Sequence, residues 1–399
     1  MAKINGNFDS IAENYIFSEV AKRIEAMRAA HPENEIINLG IGDITLPLPA
    51  PVSRAMAAAS LEMCTDAGLH GYPPCEGYGF LRDAIAKYYA SRGVSVCADE
   101  IFVSEGAKSD IAAMPEIFDS YTAAEISPSY PVFAESAALL GKKILRIRAT
   151  RENAFLPTPP ETEKSGFLIY LCSPANPTGA VFDAKKLAAW VRFALERDSL
   201  IIFDAAYEAY IGTNLPRSIF EIPGAAECAL EIGSFSKFAG MTGVRVSWCV
   251  IPEKLYCGGI SVRQVWKRRQ SMKFNGVSYI NQRGAEAVFS DECAPYLKAN
   301  IAYYKENARI LADVLRAHGI FFTGGENSPY IWLYCGDCRK FFDMLLQAGI
   351  AGTPGTGFGE GGAGYFRLSS FAARENIIKA AKILDEFLQS DNNLSAYSS

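Results

Sequence analysis

The stretch Gly233-Ser-Phe-Ser-Lys237 puts two hydroxyls and an ammonium directly after an apolar segment, and Arg245 adds a guanidinium eight residues on. Such a set, at the end of a strand, suits an anionic or phosphorylated ligand, because ligands of α/β sheets sit at strand ends. An ordinary Ser-rich polar loop would read the same way. Leu200-Ile-Ile-Phe-Asp204 is an apolar strand ending in a carboxylate, with Tyr207 three residues later. Asp204 can cap the next helix or stand as a buried anion beside a cationic ring nitrogen. Cys172-Ser-Pro-Ala-Asn-Pro-Thr-Gly179 forces a tight loop that presents the Asn176 amide. Val103-Ser-Glu-Gly-Ala-Lys108 places Gly106 at a strand-to-helix junction, where backbone N–H groups can cradle an anion. Ser127-Pro-Ser-Tyr-Pro131 holds Tyr130 on a stiff loop, suited to stacking on an aromatic ring.

The elements that must position these residues follow from periodicity. Helical spacing predicts helices over 51–63, 78–92, 107–118, 132–140 and 183–197. Asp183 is the expected N-cap of the last, with Leu187, Val191, Ala194 and Leu195 as its apolar face. Strands are predicted at 101–103, 144–147, 167–172, 200–203, 228–232 and 246–250. Short apolar strands alternating with helices imply an α/β fold with a mostly parallel sheet. An amphipathic arm precedes it, with Ile16, Phe17, Val20, Ile24 and Met27 at helical spacing. After about residue 290 the texture changes: a long helix (293–318), a strand (330–333), a helix (339–348), a Gly-rich run (352–364), Tyr365–Ser369 and a last helix (373–389). This reads as a smaller α/β domain. The expected division is 1–45 as arm and part of the small domain, 46–288 as the large domain, and 289–399 as the rest of the small one. The polar tail 390–399 is expected to fray.

Composition excludes rival chemistries. The chain of 399 residues has three histidines (His31, His70, His318), too few for a His-rich metal site, and a Ser-His-Asp hydrolase would have to use one of them. With 39 Lys+Arg against 44 Asp+Glu, the net charge of -5 gives no basic footprint for nucleic acid. Ten cysteines are scattered through it; Cys335-Gly-Asp-Cys338 is a lone C-x-x-C with no second pair, so no metal is expected. The N-terminus lacks an apolar signal run, and no segment is apolar for long enough to span a membrane. The expected location is the cytoplasm.

Phosphate cradle, stacking Tyr, Asn, strand-end Asp with Tyr, and Ser-x-Ser-Lys with Arg together form a set suited to pyridoxal phosphate. With Gly40-Ile-Gly-Asp43, Phe274-Asn-Gly276 and Thr353-Pro-Gly355 added, the chain resembles the fold-type I aminotransferases, and within them the LL-diaminopimelate aminotransferase family, over nearly its whole length. The resemblance implies a three-layer sandwich around a mostly parallel sheet, with a smaller α/β domain. It implies Lys237 as Schiff-base lysine and proton carrier, Asp204 against the pyridine nitrogen, and Asn176 and Tyr207 on the ring oxygen. It implies Tyr130 stacked on the ring, with Gly106, Ala107, Lys108, Ser234, Ser236 and Arg245 on the phosphate. Tyr72 completes that cradle from a neighbouring subunit, so a homodimer with shared sites is implied. Arg367 clamps the substrate carboxylate through its planar fork, and Tyr15, Gly42, Asn176 and Asn275 complete the substrate site. Small amino and keto acids are the implied partners, with the Gly-rich run 352–364 closing over them. The implied reaction moves an amino group between glutamate/2-oxoglutarate and tetrahydrodipicolinate/LL-2,6-diaminopimelate, a step of lysine biosynthesis.

The sequence departs from the family pattern at the far end of the substrate. Gly71-Tyr-Pro-Pro-Cys-Glu-Gly77 has Pro73 where Gly is usual and Cys75 where an acidic residue is usual, with Glu76 one place on. Ser127 replaces an Asp, and Lys273 stands where Thr is common. These departures leave three alternatives: an aminotransferase for aspartate, aromatic or other amino acids, a β-lyase or decarboxylase, or a non-catalytic ligand-binding protein.

Overall fold

The alternating strands and helices close into a seven-stranded sheet in the computed structural model, which describes residues 1–11, 16–212 and 214–389. The strand order is Ile101–Ser104, Ser247–Val250, Ala229–Ser234, Leu200–Asp204, Phe167–Cys172, Thr122–Ser127, Ile144–Arg148. Only Ser247–Val250 runs against its neighbours. The central strands are buried along their length because helices cover both faces. Trp266, Phe133 and Ile202 pack on one side, and Trp190, Leu187 and Phe203 on the other.

Most expected elements are present, and the differences have local causes. Asp183 caps helix Ala184–Glu196, accepting from the Lys186 N–H at 2.7 Å. Its buried face is Leu187, Trp190, Val191 and Ala194, whereas Leu195 turns outward, since the 3.6-residue period carries the stripe to 194. The helix expected over 107–118 stops at Ala113 and continues as a 3₁₀ turn, Met114–Ile117, because Pro115 has no N–H for the helical ladder. Strand Thr122–Ser127 was not anticipated. Thr-Ala-Ala-Glu-Ile-Ser lacks an apolar run, and its buried Glu125 lies opposite Arg146, with Oε1 at 3.4 Å from Nε. The polar helix Val262–Lys273 and helix Tyr279–Ala287 also escaped periodicity; Ser261 and Ser278 cap them.

A second, antiparallel sheet is ordered Phe322–Gly324, Tyr330–Tyr334, Tyr365–Ser369, Thr353–Pro354. The N-terminal segment joins this part of the fold: Ile37–Asn38 pairs in parallel with Ile350–Ala351, and Val20, Ile24 and Leu39 share a core with Leu311, Leu345 and Leu384. Among the described residues no helix is long and apolar enough to cross a membrane. The tail 390–399 lies outside the described residues.

Candidate active site

A cavity of about 330 Å³ opens where the carboxyl ends of the large sheet meet the small sheet. Five of the seven large-sheet strands deliver groups at or within a few residues of their carboxyl ends: Ala107 and Lys108, Tyr130, Asn176, Asp204 with Tyr207, and Ser234 with Ser236 and Lys237. Arg245 comes from the turn before the antiparallel strand, and Gly42, Tyr330 and Arg367 come from the other side.

One end of the cavity is an anion cradle. Ser234 and Ser236 hydroxyls, the Lys108 turn and the Arg245 guanidinium converge there. Gly106 has φ +122°, and a Cβ at that position would run into the Arg245 guanidinium, so glycine is what lets the cation lie against the turn. Arg245 itself adopts φ +65°, with Nη1 bonded to the Thr242 carbonyl at 3.0 Å. The Gly106 N–H donates to Ser247 Oγ at 3.0 Å, so this residue shapes the cradle rather than lining it.

At the centre, Asp204 is 4% exposed and accepts from Tyr170 Oη at 2.6 Å and from the Ala206 N–H at 3.0 Å. Burial raises its pKa, and the Tyr170 hydrogen bond opposes the rise. A buried carboxylate facing the cavity favours a cationic partner. Lys237 donates to the Gly42 carbonyl. Burial lowers the Lys237 ammonium to about 8; Asp43 opposes this, and Arg367 and Arg245 add to it. A neutral amine is therefore accessible near physiological pH. The Tyr207 and Tyr330 hydroxyls lie 2.7 Å apart.

Arg367 supplies a further buried cation to the cavity wall. Arg367 is 1% exposed, with Nη1 at 2.7 Å from Asn176 Oδ1 and Nη2 at 2.7 Å from the Gly40 carbonyl. Its guanidinium lies over the rings of Tyr330, Phe358 and Phe17 at 4.3, 4.8 and 5.2 Å. The Gly-rich run is tied to the loop carrying Tyr130: Ser129 N–H donates to the Phe358 carbonyl at 2.9 Å, and Gly361 N–H to Ser127 Oγ at 3.2 Å.

Of three further anticipated residues, two are not brought to the cavity by the single chain. Tyr72 is 88% exposed, Asn275 is exposed, and Tyr15 lies outside the described residues. The segments bearing Tyr72 and Asn275 touch each other, since Gly276 packs against Pro73 and the Pro74 carbonyl. Beside them Cys75 Sγ donates to Glu76 Oε2 at 3.0 Å, and Lys267 pairs with the same carboxylate. Burial pulls the Glu76 pKa upward, but the bonds from Cys75 and Lys267 prevail and hold it near 2.

Sequence reasoning missed Tyr330, because only the pairing of its strand with Tyr365–Ser369 brings it beside Arg367. It also missed Tyr170, for which a signal existed: a phenol inside a buried strand needs a partner, and Asp204 ends the neighbouring strand. Among the described residues no three His, Cys, Asp or Glu side chains gather to hold a metal, and all ten cysteines are free.

The fold is that of a fold-type I aminotransferase, and the chain belongs to the aminotransferase class I and II family, whose model matches residues 34–383. Within it the chain is similar to LL-diaminopimelate aminotransferase of Agathobacter rectalis, at 44% identity over 95% of this chain and 98% of the relative. The protein of the same name from Phocaeicola vulgatus is 42% identical, over 97% of this chain and 100% of the relative. A solved structure, the L,L-diaminopimelate aminotransferase of Chlamydomonas reinhardtii, superposes with a TM-score of 0.91 at 38% identity, covering 96% of this chain and 98% of that one.

Proposed function

We propose that this aminotransferase uses pyridoxal phosphate to move an amino group between glutamate/2-oxoglutarate and tetrahydrodipicolinate/LL-2,6-diaminopimelate, in the cytoplasm and in the service of lysine synthesis. The observation that carries the reading is the line of groups across one cavity: anion cradle, buried Asp204, Lys237 and the Arg367 clamp. The cofactor fits this donor set. Ala107, Lys108, Ser234, Ser236 and Arg245 would hold its phosphate, Tyr130 would cover its ring, Asp204 would pair with the pyridine nitrogen, and Asn176 and Tyr207 would bond the ring oxygen.

When bound, pyridoxal phosphate supplies an electron sink for the bond electrons released at the substrate Cα. The chain does the rest. Arg367 grips the α-carboxylate and fixes which Cα bond points toward Lys237. Lys237 Nζ takes the Cα proton, and its lowered pKa provides the neutral amine this needs. Phe17, Tyr330 and Phe358 keep water from the guanidinium and strengthen the ionic grip. The kinetics are ping-pong, because one site serves donor and acceptor in turn. The active unit is a homodimer, a reading supported by the exposed Tyr72 and Asn275, which need a second chain to reach a site.

Purified protein should be yellow with the cofactor, and borohydride should fix the label on Lys237. A panel of amino donors with 2-oxoglutarate tests the substrate: LL-diaminopimelate should yield glutamate. A different amino acid substrate is the second reading. It is favoured by one observation, that Glu76 is engaged by Cys75 and Lys267 in this chain rather than open to a substrate ammonium. Glutamate formed from another amino acid but not from diaminopimelate would decide for it.

A further inference from the structure

Tyr330 is 2% exposed and touches both halves of the proposed machinery. Its hydroxyl lies 2.7 Å from that of Tyr207. Its ring lies 4.3 Å from the Arg367 guanidinium carbon, over the face. The strand register explains both contacts. Tyr330 pairs with Ser369 and Trp332 with Arg367, so Tyr330 and Arg367 are diagonal neighbours on one face of the small sheet. Tyr207 reaches the same hydroxyl from the large sheet, its ring at 5.2 Å and 70° to that of Tyr330. Gly42 belongs to the same contact: a Cβ there would collide with the Tyr330 hydroxyl, and its carbonyl accepts from Lys237.

We propose that Tyr330 is a positioning residue that couples the carboxylate clamp to the cofactor's ring oxygen, its ring supporting Arg367 and its hydroxyl setting the donor strength of Tyr207. The proposal rests on the aminotransferase reading given above. A phenol that receives a hydrogen bond is itself a better donor, because hydrogen bonds in a chain polarise one another. Tyr207 backed by Tyr330 therefore favours the anionic form of the ring oxygen more than Tyr207 alone. The face of Tyr330 carries the negative side of the ring quadrupole, which attracts the guanidinium and fixes its plane. The ionisable groups acting on Tyr330 are Arg367, Tyr207, Cys172 and Asp204.

The two functions of the side chain can be separated. Tyr330→Phe keeps the ring and removes the hydroxyl; Tyr330→Leu removes both. Each variant is loaded with pyridoxal phosphate and titrated by absorbance, and its affinity for succinate, a non-reacting carboxylate, is measured by the spectral change. Tyr330→Phe should raise the titration midpoint of the bound cofactor by roughly 0.5–1 pH unit, the size one hydrogen bond supports. Its succinate affinity should stay within about twofold. Tyr330→Leu should raise the midpoint similarly and weaken succinate by about tenfold, the order of a desolvated cation–π contact. A midpoint unchanged in Tyr330→Phe, or succinate bound by Tyr330→Leu as by wild type, would overturn the coupling. A wild-type protein that took up no pyridoxal phosphate would instead overturn the underlying reading, and the coupling with it.

Discussion

At the sheet end of the cavity every charged group stands on the tip of a strand or one turn beyond it. Asp204 ends one strand, Lys237 follows the next, and Arg245 precedes a third. At the other extreme, Tyr72, Cys75, Glu76 and Asn275 sit on loops that pack on each other, and none lines the cavity of the single chain. The first region is held by backbone ladders and buried hydrogen bonds such as Tyr170–Asp204. The second is held by the Glu76–Lys267 pair, whose lysine is 62% exposed, and such pairs fix geometry weakly. The difference teaches which groups this fold holds rigidly and which it leaves adaptable: strand ends fix the first set, and loops carry the second.

The comparison makes unequal predictions for the two regions. Lys237→Ala should lower turnover by about 10⁴-fold, the upper range for a positioned proton carrier, and leave the fold intact by circular dichroism. Residual turnover near wild type would break the assignment of chemistry to the sheet end. Arg367→Lys should reduce kcat/KM by about 10²-fold, because an ammonium cannot reproduce the fork that reaches Asn176 and a carboxylate together. Gly42→Ala should destabilise the protein by about 1–3 kcal/mol through overpacking against Tyr330. Combining it with Tyr330→Phe should recover part of that loss in a denaturant titration, since the nearest remaining ring atom to the new Cβ is Cζ at 3.2 Å.

On the loop side, Cys75→Glu should raise kcat/KM for LL-diaminopimelate by only about 2–5-fold, the scale of one solvent-accessible ion pair, without altering the absorbance of bound cofactor. A spectral change there would show the two regions to be coupled. A last effect concerns pH and stability and lies outside both regions. Burial raises the Glu231 carboxyl to about 7, against an ordinary value of 4.5. The folded protein thus holds a proton that the unfolded chain releases, and stability contributed below pH 4.5 is lost as pH rises through 7. The thermal midpoint should fall by a few degrees, roughly, between pH 5 and 8, and Glu231→Gln should flatten part of that slope.

Legibility followed the same division. Asp204, Asn176, Tyr207, Lys237 and Arg245 were recognisable because each follows an apolar strand or a glycine turn whose local pattern is strong. Tyr330 was not, because its role depends on a strand register between residues 330 and 369 and on a hydroxyl arriving from residue 207. Strand Thr122–Ser127 was missed for a related reason. Its Ala-rich sequence has little strand preference of its own, and it is held by partners on both sides, Ile144–Arg148 and Phe167–Cys172.

The sequence by itself determined which chemistries are poor fits and where the polar groups fall: three histidines and a mildly acidic charge argue against metal, triad and nucleic-acid readings, and an ordered set of polar and charged residues follows the apolar strands. Those features are local, and local signals survive in one dimension. Only the tertiary structure decided that Arg367 sits against Asn176, that Tyr330 joins Arg367 to Tyr207, and that Glu76 is committed to Lys267. Each joins residues from separate segments, and which groups meet across such a gap is set by packing and register, quantities that no window along the chain contains.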